Sequence, residues 1–262
     1  MRHATGTLCM RRQTMATRGD SENQAILRDK MIKAGKITKK NKYISEILCA
    51  LKLEDRLLDI GCGTAHIIRG LAVHSSDSIL VGLDVSPAML TQAKLNGSEM
   101  HNGGLVKADG LKLPFGDCVF DVVITRLAEY SSPEVYRVLR RGGTFVEYGL
   151  GPEADKEIPE FFPDRFEREN FFIPKNLANW KDEACESIKD AGFTVLSIED
   201  HREIEHYLNE QDLMDVIEMV PLVKGFNRAK DREKANHLAE KYSDKKGVKI
   251  TWHYCIIEAQ KK

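Results

Sequence analysis

Apolar positions along the chain fall into two alternating periods. Short unbroken runs, Leu57-Leu58 before Ile60, Ile79-Leu80-Val81 before Leu83, and Val122-Val123-Ile124, have strand length and no polar face. They read as strands buried on both sides. Between them, Ile67, Ile68 and Leu71, and then Met89, Leu90 and Ala93, recur at helical spacing. Strands are expected over 56–60, 78–83, 105–108, 119–125, 144–148, 194–198 and 248–259, the last from the alternation of Ile250, Trp252, Tyr254 and Ile256. Helices are expected over 64–73, from Ser86-Pro87 to Asn96-Gly97, from Pro133-Glu134 to the stop at Gly142-Gly143, and over 180–190. Strands alternating with helices at this spacing specify an α/β fold with a parallel, doubly wound sheet.

Three stretches depart from that alternation. Residues 21–54 read as a helical arm: Ser21 as cap, Ile26, Leu27, Met31 and Ile32 at helical spacing, a break at Gly35, then a second helix with Tyr43, Ile44, Ile47 and Leu48 inward. Residues 151–179 read as a loop covering something apolar, because Phe161, Phe162, Phe166, Phe171 and Phe172 are set among prolines. Residues 203–246 read as a helical, amphipathic insertion with Leu208, Leu213, Val216, Ile217 and Met219 inward. The expected organisation is an extension over 1–20, then a single domain over 21–262 with its core at 55–150.

Composition narrows the class. A 42% apolar fraction in 262 residues supports a large core, and the net charge of −1 shows no global bias toward nucleic acid or anionic membrane. No apolar run reaches the roughly 18 residues of a membrane-spanning helix. The six cysteines form no CxxC pair, so no metal site is expected, and their scatter suits reduced thiols in a cytoplasmic protein. The first twenty residues carry four arginines and a single acid, Asp20. That composition is shared by transit peptides, but the stretch lacks an amphipathic apolar face and is read as an unstructured extension. Lys30, Lys33, Lys36, Lys39, Lys40 and Lys42 form a basic run, read as a solvated face with a phosphate or carboxylate contact as the alternative.

The chemistry concentrates at Leu57-Leu58-Asp59-Ile60-Gly61-Cys62-Gly63-Thr64-Ala65, a strand, a glycine turn and a helix start. Such a turn lets backbone N–H groups approach a cofactor closely. His66 stands where a dinucleotide fold has its third glycine, and Asp59 puts a carboxylate beside the turn, awkward for a pyrophosphate. The same carboxylate suits the cationic methionine portion of S-adenosylmethionine. Asp84, ending the second strand, can accept ribose hydroxyls in either cofactor. Asp109-Gly110 after the third strand is placed to meet the adenine amine, with a small neighbour beside the ring and Val85 and Met89 to pack on it. An Asp-Gly turn is the structural alternative for that pair.

The segments 57–64, 82–90, 108–115, 120–125 and 137–143 resemble, in order, the motifs of the class I S-adenosylmethionine-dependent methyltransferases, of the methyltransferase domain 11 type. The resemblance covers about residues 55–150. It implies a Rossmann-like seven-stranded sheet with an antiparallel last strand, and S-adenosylmethionine as cofactor. It places Asp59, Gly61, Cys62 and Gly63 along the methionine and ribose portions, Asp84 at the ribose and Asp109 at the adenine. Thr125 and Arg126 border the methyl group. Ala65 departs from the family, where a third glycine is common.

Methyl transfer needs alignment and exclusion of water, and a base only where the nucleophile must lose a proton. Candidates beyond the fourth strand are Glu129 as base, Arg126 as a clamp for an acidic acceptor, and Tyr130. Each has a plain structural role as its alternative. The Asn/Asp-Pro-Pro-Tyr motif of amino-directed nucleic acid enzymes is missing, since 125–130 reads Thr-Arg-Leu-Ala-Glu-Tyr. The expected acceptor is a small or medium-sized molecule. An RNA or protein acceptor reached through the basic arm, and a non-catalytic S-adenosylmethionine-binding protein, are the alternatives.

Overall fold

The computed structural model describes residues 22–35, 41–97, 103–166, 177–220 and 222–262. The 1–20 extension, the Ser21 cap, Lys36, Lys39, Lys40, Phe171 and Phe172 lie outside the described residues. In chain order the elements are α1 (Glu22–Lys33), α2 (Asn41–Ala50), β1 (Arg56–Ile60), α3 (His66–Ala72), β2 (Ile79–Asp84), α4 (Pro87–Asn96), β3 (Gly103–Lys107), β4 (Phe120–Arg126), α5 (Ser132–Val138) and β5 (Leu139–Leu150). They continue with α6 (Trp180–Asp190), β6 (Thr194–Tyr207), α7 (Glu210–Met219), α8 (Arg228–Tyr242), β7 (Ser243–Asp244) and β8 (Gly247–Gln260).

Seven strands run in the order β3-β2-β1-β4-β5-β8-β6, and the two-residue β7 adds an eighth by pairing with β8. The pairs among β1 to β5 are parallel. β8 is antiparallel to both β5 and β6. The expected doubly wound sheet with a reversed last strand is therefore present. Pleating divides consecutive apolar residues between two cores. Leu58, Val123 and Phe145 point toward Trp180, Ile188 and the α5–α6 side. Leu57, Val122 and Val146 point toward Tyr43, Ile47, Ile68 and Leu71 on α2 and α3.

A third core joins the arm to the insertion. Met31 of α1 meets Leu213 and Ile217 of α7, Leu238 of α8, and Tyr207, Val248 and Ile250 where β6 and β8 run past the main sheet. Three expectations are corrected here. β6 is a 14-residue strand, so 203–207 is strand, not helix. Its partner β8 supplies ladder hydrogen bonds along that whole length, which outweighs the helix-compatible composition of Glu203–Tyr207. Leu208, expected inward, is 71% exposed in the turn before α7, and Ile26 is 50% exposed on α1.

The helix starts follow their sequence signals. The Ser86 hydroxyl accepts from the Met89 N–H with Pro87 in the first turn of α4, and Ser131 caps α5 in the same way.

Candidate functional site

β1 and β4 are neighbours from which the chain order runs outward in both directions, the switch point where ligands settle beyond the carboxyl ends of strands. A cavity opens there. Its floor is Asp59, Gly61, Cys62, Gly63, Thr64 and Asp84, with Arg126, Leu127 and Ala128 from the end of β4 beside them. Arg28 and Ile32 of α1 and His66 and Ile67 of α3 close other sides. The far wall is Leu150, Tyr207, Val216, Met219, Leu222 and Trp252, with Asp155 and Glu205 among them.

The glycine turn needs its glycines for two different reasons. Gly61 has φ +74°, and a Cβ there would lie 2.1 Å from the Cβ of Ala128. Gly63 has φ +55°, and a Cβ there would meet nothing within 4 Å. Gly61 lets two turns touch, whereas Gly63 leaves a wall of the cavity bare. Ala65, at φ 61° and ψ 24°, occupies the left-handed region that glycine adopts without strain.

Two carboxylates are buried in the floor. Asp84 accepts from the Gly63 N–H and the Ser86 N–H, both at 2.8 Å. Burial raises its pKa, and those backbone donors pull it back. Asp59 is raised to about 7, first by burial and then by the charge of Asp84, with Arg126 opposing. The same two carboxylates, after burial, push the Cys62 thiol up, so it stays protonated.

The other anticipated positions are distributed as follows. Thr125 is 1% exposed, its hydroxyl donates to the Ile60 carbonyl at 3.1 Å, and its own carbonyl accepts from Tyr43. It ties β4 to β1 and to the arm. Asp109 sits next to Asp84 across the strand ends, since the Ala108 N–H donates to the Asp84 carbonyl. One Asp109 carboxylate oxygen accepts from the Leu111 N–H at 2.9 Å, the turn geometry of an Asp-Gly pair. Gly110 is required by proximity: a Cβ there would be 2.3 Å from the Glu129 carbonyl. Val85 is 42% exposed and Met89 is fully buried.

Of the three residues anticipated near the acceptor, the cavity wall includes Arg126 but neither Glu129 nor Tyr130. The Arg126 guanidinium lies over the Tyr148 ring, 5.2 Å from its centroid. Tyr130 turns the other way. Its hydroxyl donates to Glu147 at 2.7 Å and its ring meets Phe145 edge-on in the sheet core. Glu129 is half-buried, with its backbone against Gly110. Phe162, in the loop read as covering something apolar, is 1% exposed in the third core, with Phe161 packed against that core.

Sequence reasoning passed over Arg28, His66, Asp155, Glu205 and Trp252 as parts of one site. Arg28 and Trp252 are 224 positions apart, and no local period announces their meeting.

Comparison with known proteins bears directly on this turn. Residues 58–146 match the family model described as a methyltransferase domain. That match spans the glycine turn and the strand ends around it, so this part of the chain is similar to methyltransferase domains. Over 110 residues it is 34% identical to the malonyl-[acyl-carrier protein] O-methyltransferase of Legionella pneumophila, covering 39% of each protein. Over 159 residues it is 30% identical to the sterol 24-C-methyltransferase of Saccharomyces cerevisiae, covering 56% of this chain and 41% of that one. The chain thus spans about two fifths of the length of these curated relatives. A solved putative methyltransferase of Bacillus halodurans superposes with a TM-score of 0.60 at 18% identity, over 84% of this chain and 98% of that one, a likeness of fold.

S-adenosylmethionine is the cofactor of this domain. The residues present fit it. The bare wall at Gly63 leaves room for a ligand against the backbone, and the buried Asp59–Asp84 pair supplies negative charge for a cationic amino-acid end and acceptors for hydroxyls.

Proposed function

We propose that this methyltransferase domain acts on a small or medium-sized acceptor with an apolar body, bound in the chamber beyond the glycine turn. The observation that carries this reading is the continuity of the cavity from the acidic floor at Asp59 and Asp84 to apolar side chains of three separate elements: Ile32 of α1, Val216 and Met219 of α7, and Trp252 of β8. Apolar walls with a few polar groups are the usual lining of a small-molecule site.

When bound, S-adenosylmethionine supplies an electrophilic methyl group already joined to its leaving group. The chain's own task is to hold, align and keep dry. Asp59 and Asp84 hold the donor's polar end. Arg126, fixed over Tyr148, balances their charge where β4 ends. The apolar wall excludes water from the acceptor side. Where the acceptor must lose a proton, Glu205 and Asp155 line the chamber and are better sited to take it than Glu129.

An RNA or protein acceptor is the second reading. Two lysines of the basic arm are engaged with the protein's own acids, which weighs against it. Lys33 pairs with Asp29 at 2.7 Å, and Lys42 pairs with Glu46 at 3.0 Å and Glu199 at 3.3 Å. In the insertion, Arg228 pairs with Asp215 and Glu218. The fold alone does not decide the chemistry, because a [4+2]-cyclase superposes with a TM-score of 0.56 at 19% identity, over 83% of this chain and 80% of that one.

The test has two arms. Calorimetric titration compares S-adenosylhomocysteine with NAD, and a labelled-methyl assay then offers the protein separated small-molecule, RNA and protein fractions of a cell extract. Binding of S-adenosylhomocysteine and label in the small-molecule fraction is the expected result. Label confined to RNA or protein would overturn the acceptor reading.

A further inference from the structure

We propose that Thr64 and His66, with Arg28 reaching in from α1, form the subsite that holds the carboxylate of the cofactor's amino-acid end. The inference rests on the methyltransferase reading above and assigns side chains that no motif of the glycine turn requires.

Among the described residues, two side chains at the turn are buried without partners. The Thr64 hydroxyl, on a residue 1% exposed, makes no hydrogen bond, and neither does Nδ1 or Nε2 of His66, both shut away from solvent. Buried polar atoms are almost always paired, because leaving one unpaired forfeits its hydration with nothing in return. Both residues line the cavity. Three orphaned polar atoms on one cavity wall mark the place where a ligand supplies the missing partners.

The surrounding charge says what kind of ligand group fits. His66 is held down to about 3 by burial and then by Arg126, Arg28 and Arg69, so its imidazole is neutral and offers one N–H and one lone pair. Three arginines thus bear on His66, and two of them, Arg28 and Arg126, line the cavity. A hydroxyl, an imidazole N–H and a guanidinium are all donors, and a carboxylate is the acceptor that satisfies several donors together. The amino-acid end of the cofactor is a zwitterion. Its ammonium suits the Asp59–Asp84 side, and its carboxylate suits Thr64, His66 and Arg28.

A carboxylate on the methyl acceptor has the same chemistry, and the experiment separates the two. S-adenosylhomocysteine and 5′-deoxy-5′-methylthioadenosine, which lacks the amino-acid end, are titrated into wild type, Thr64→Val and His66→Phe. The melting temperature of each ligand-free protein is recorded alongside. Both variants are expected to weaken S-adenosylhomocysteine about ten-fold or more, the effect of a lost hydrogen bond to a charged group. Affinity for methylthioadenosine should stay within about two-fold, and the ligand-free melting temperature should hold or rise, since an orphaned polar atom has been removed. S-adenosylhomocysteine affinity within about two-fold of wild type would overturn the proposal and leave the subsite to the acceptor. Equal weakening of both ligands would also overturn it. Should His66→Phe not fold, the near-isosteric Thr64→Val decides by the same criteria. Failure of wild type to bind S-adenosylhomocysteine at all would instead remove the methyltransferase reading itself.

Discussion

Gly61 and Ala128 touch across the switch point so closely that a methyl group added to Gly61 would sit 2.1 Å from the Ala128 Cβ. The turn after β1 and the turn after β4 therefore set each other's position. Gly61→Ala is expected to destabilise the protein by about 2–4 kcal/mol, combining overpacking with a left-handed alanine. Adding Ala128→Gly removes the clash and leaves the dihedral cost, so the double variant should recover about half of the loss. Urea denaturation of the two variants checks this, and a double variant no more stable than the single one would refute the mutual constraint.

Ala65 has the opposite prospect. It holds φ 61°, in the left-handed region that glycine adopts without strain. Ala65→Gly relieves that strain and is expected to gain about 0.5–1 kcal/mol after the entropy of the added glycine is counted. For a chain of this size that is a rise of a few degrees in melting temperature.

Asp59 gives the site a pH signature. Its folded pKa lies well above the ordinary aspartate value, at about 7. The ligand-free folded state therefore binds more protons than the unfolded state between about pH 4 and 7. This group's contribution to stability thus falls as pH rises through that window. Ligand binding runs the other way, because ionised Asp59 attracts a cationic end. S-adenosylhomocysteine affinity should rise between pH 6 and 8 in wild type, and Asp59→Asn should flatten that rise. Parallel profiles in the two proteins would dissociate Asp59 from the effect.

Tyr130 and Glu147 make a part-buried structural pair. Tyr130→Phe removes the donor at 2.7 Å from the Glu147 carboxylate, itself 3% exposed. The expected loss is about 1–3 kcal/mol of stability, with S-adenosylhomocysteine affinity at a stability-permissive temperature unchanged. A fall in affinity or turnover with stability intact would return Tyr130 to the active site.

Much of the cofactor half could be read directly from residue order. Leu57 to Ala65 is local: an apolar run, a carboxylate and left-handed positions occupy nine successive residues. The parallel, doubly wound class followed from the same locality, because each strand–helix pair repeats one unit. The acceptor half resisted for physical reasons. Glu203–Tyr207 has no strand signature of its own and is extended because β8 pairs with it. Phe162 and Met31 are apolar at spacings that suit either a pocket or a core, and only packing against α7 decided for core. His66 registered first as a missing glycine, since its orphaned nitrogens exist only once Arg28 and Arg126 surround it.

The chamber's composition from distant segments has a consequence for how the molecule comes together in time. Arg28, the floor at 59–84, Val216 and Trp252 must all be in place before it exists. The glycine turn needs only neighbouring strands, whereas the chamber needs β8 threaded antiparallel between β5 and β6. Contacts of such long sequence separation form late, after the entropy of closing the intervening chain has been met. A nascent chain emerging from the ribosome would thus hold a donor-shaped floor well before it could enclose anything to methylate.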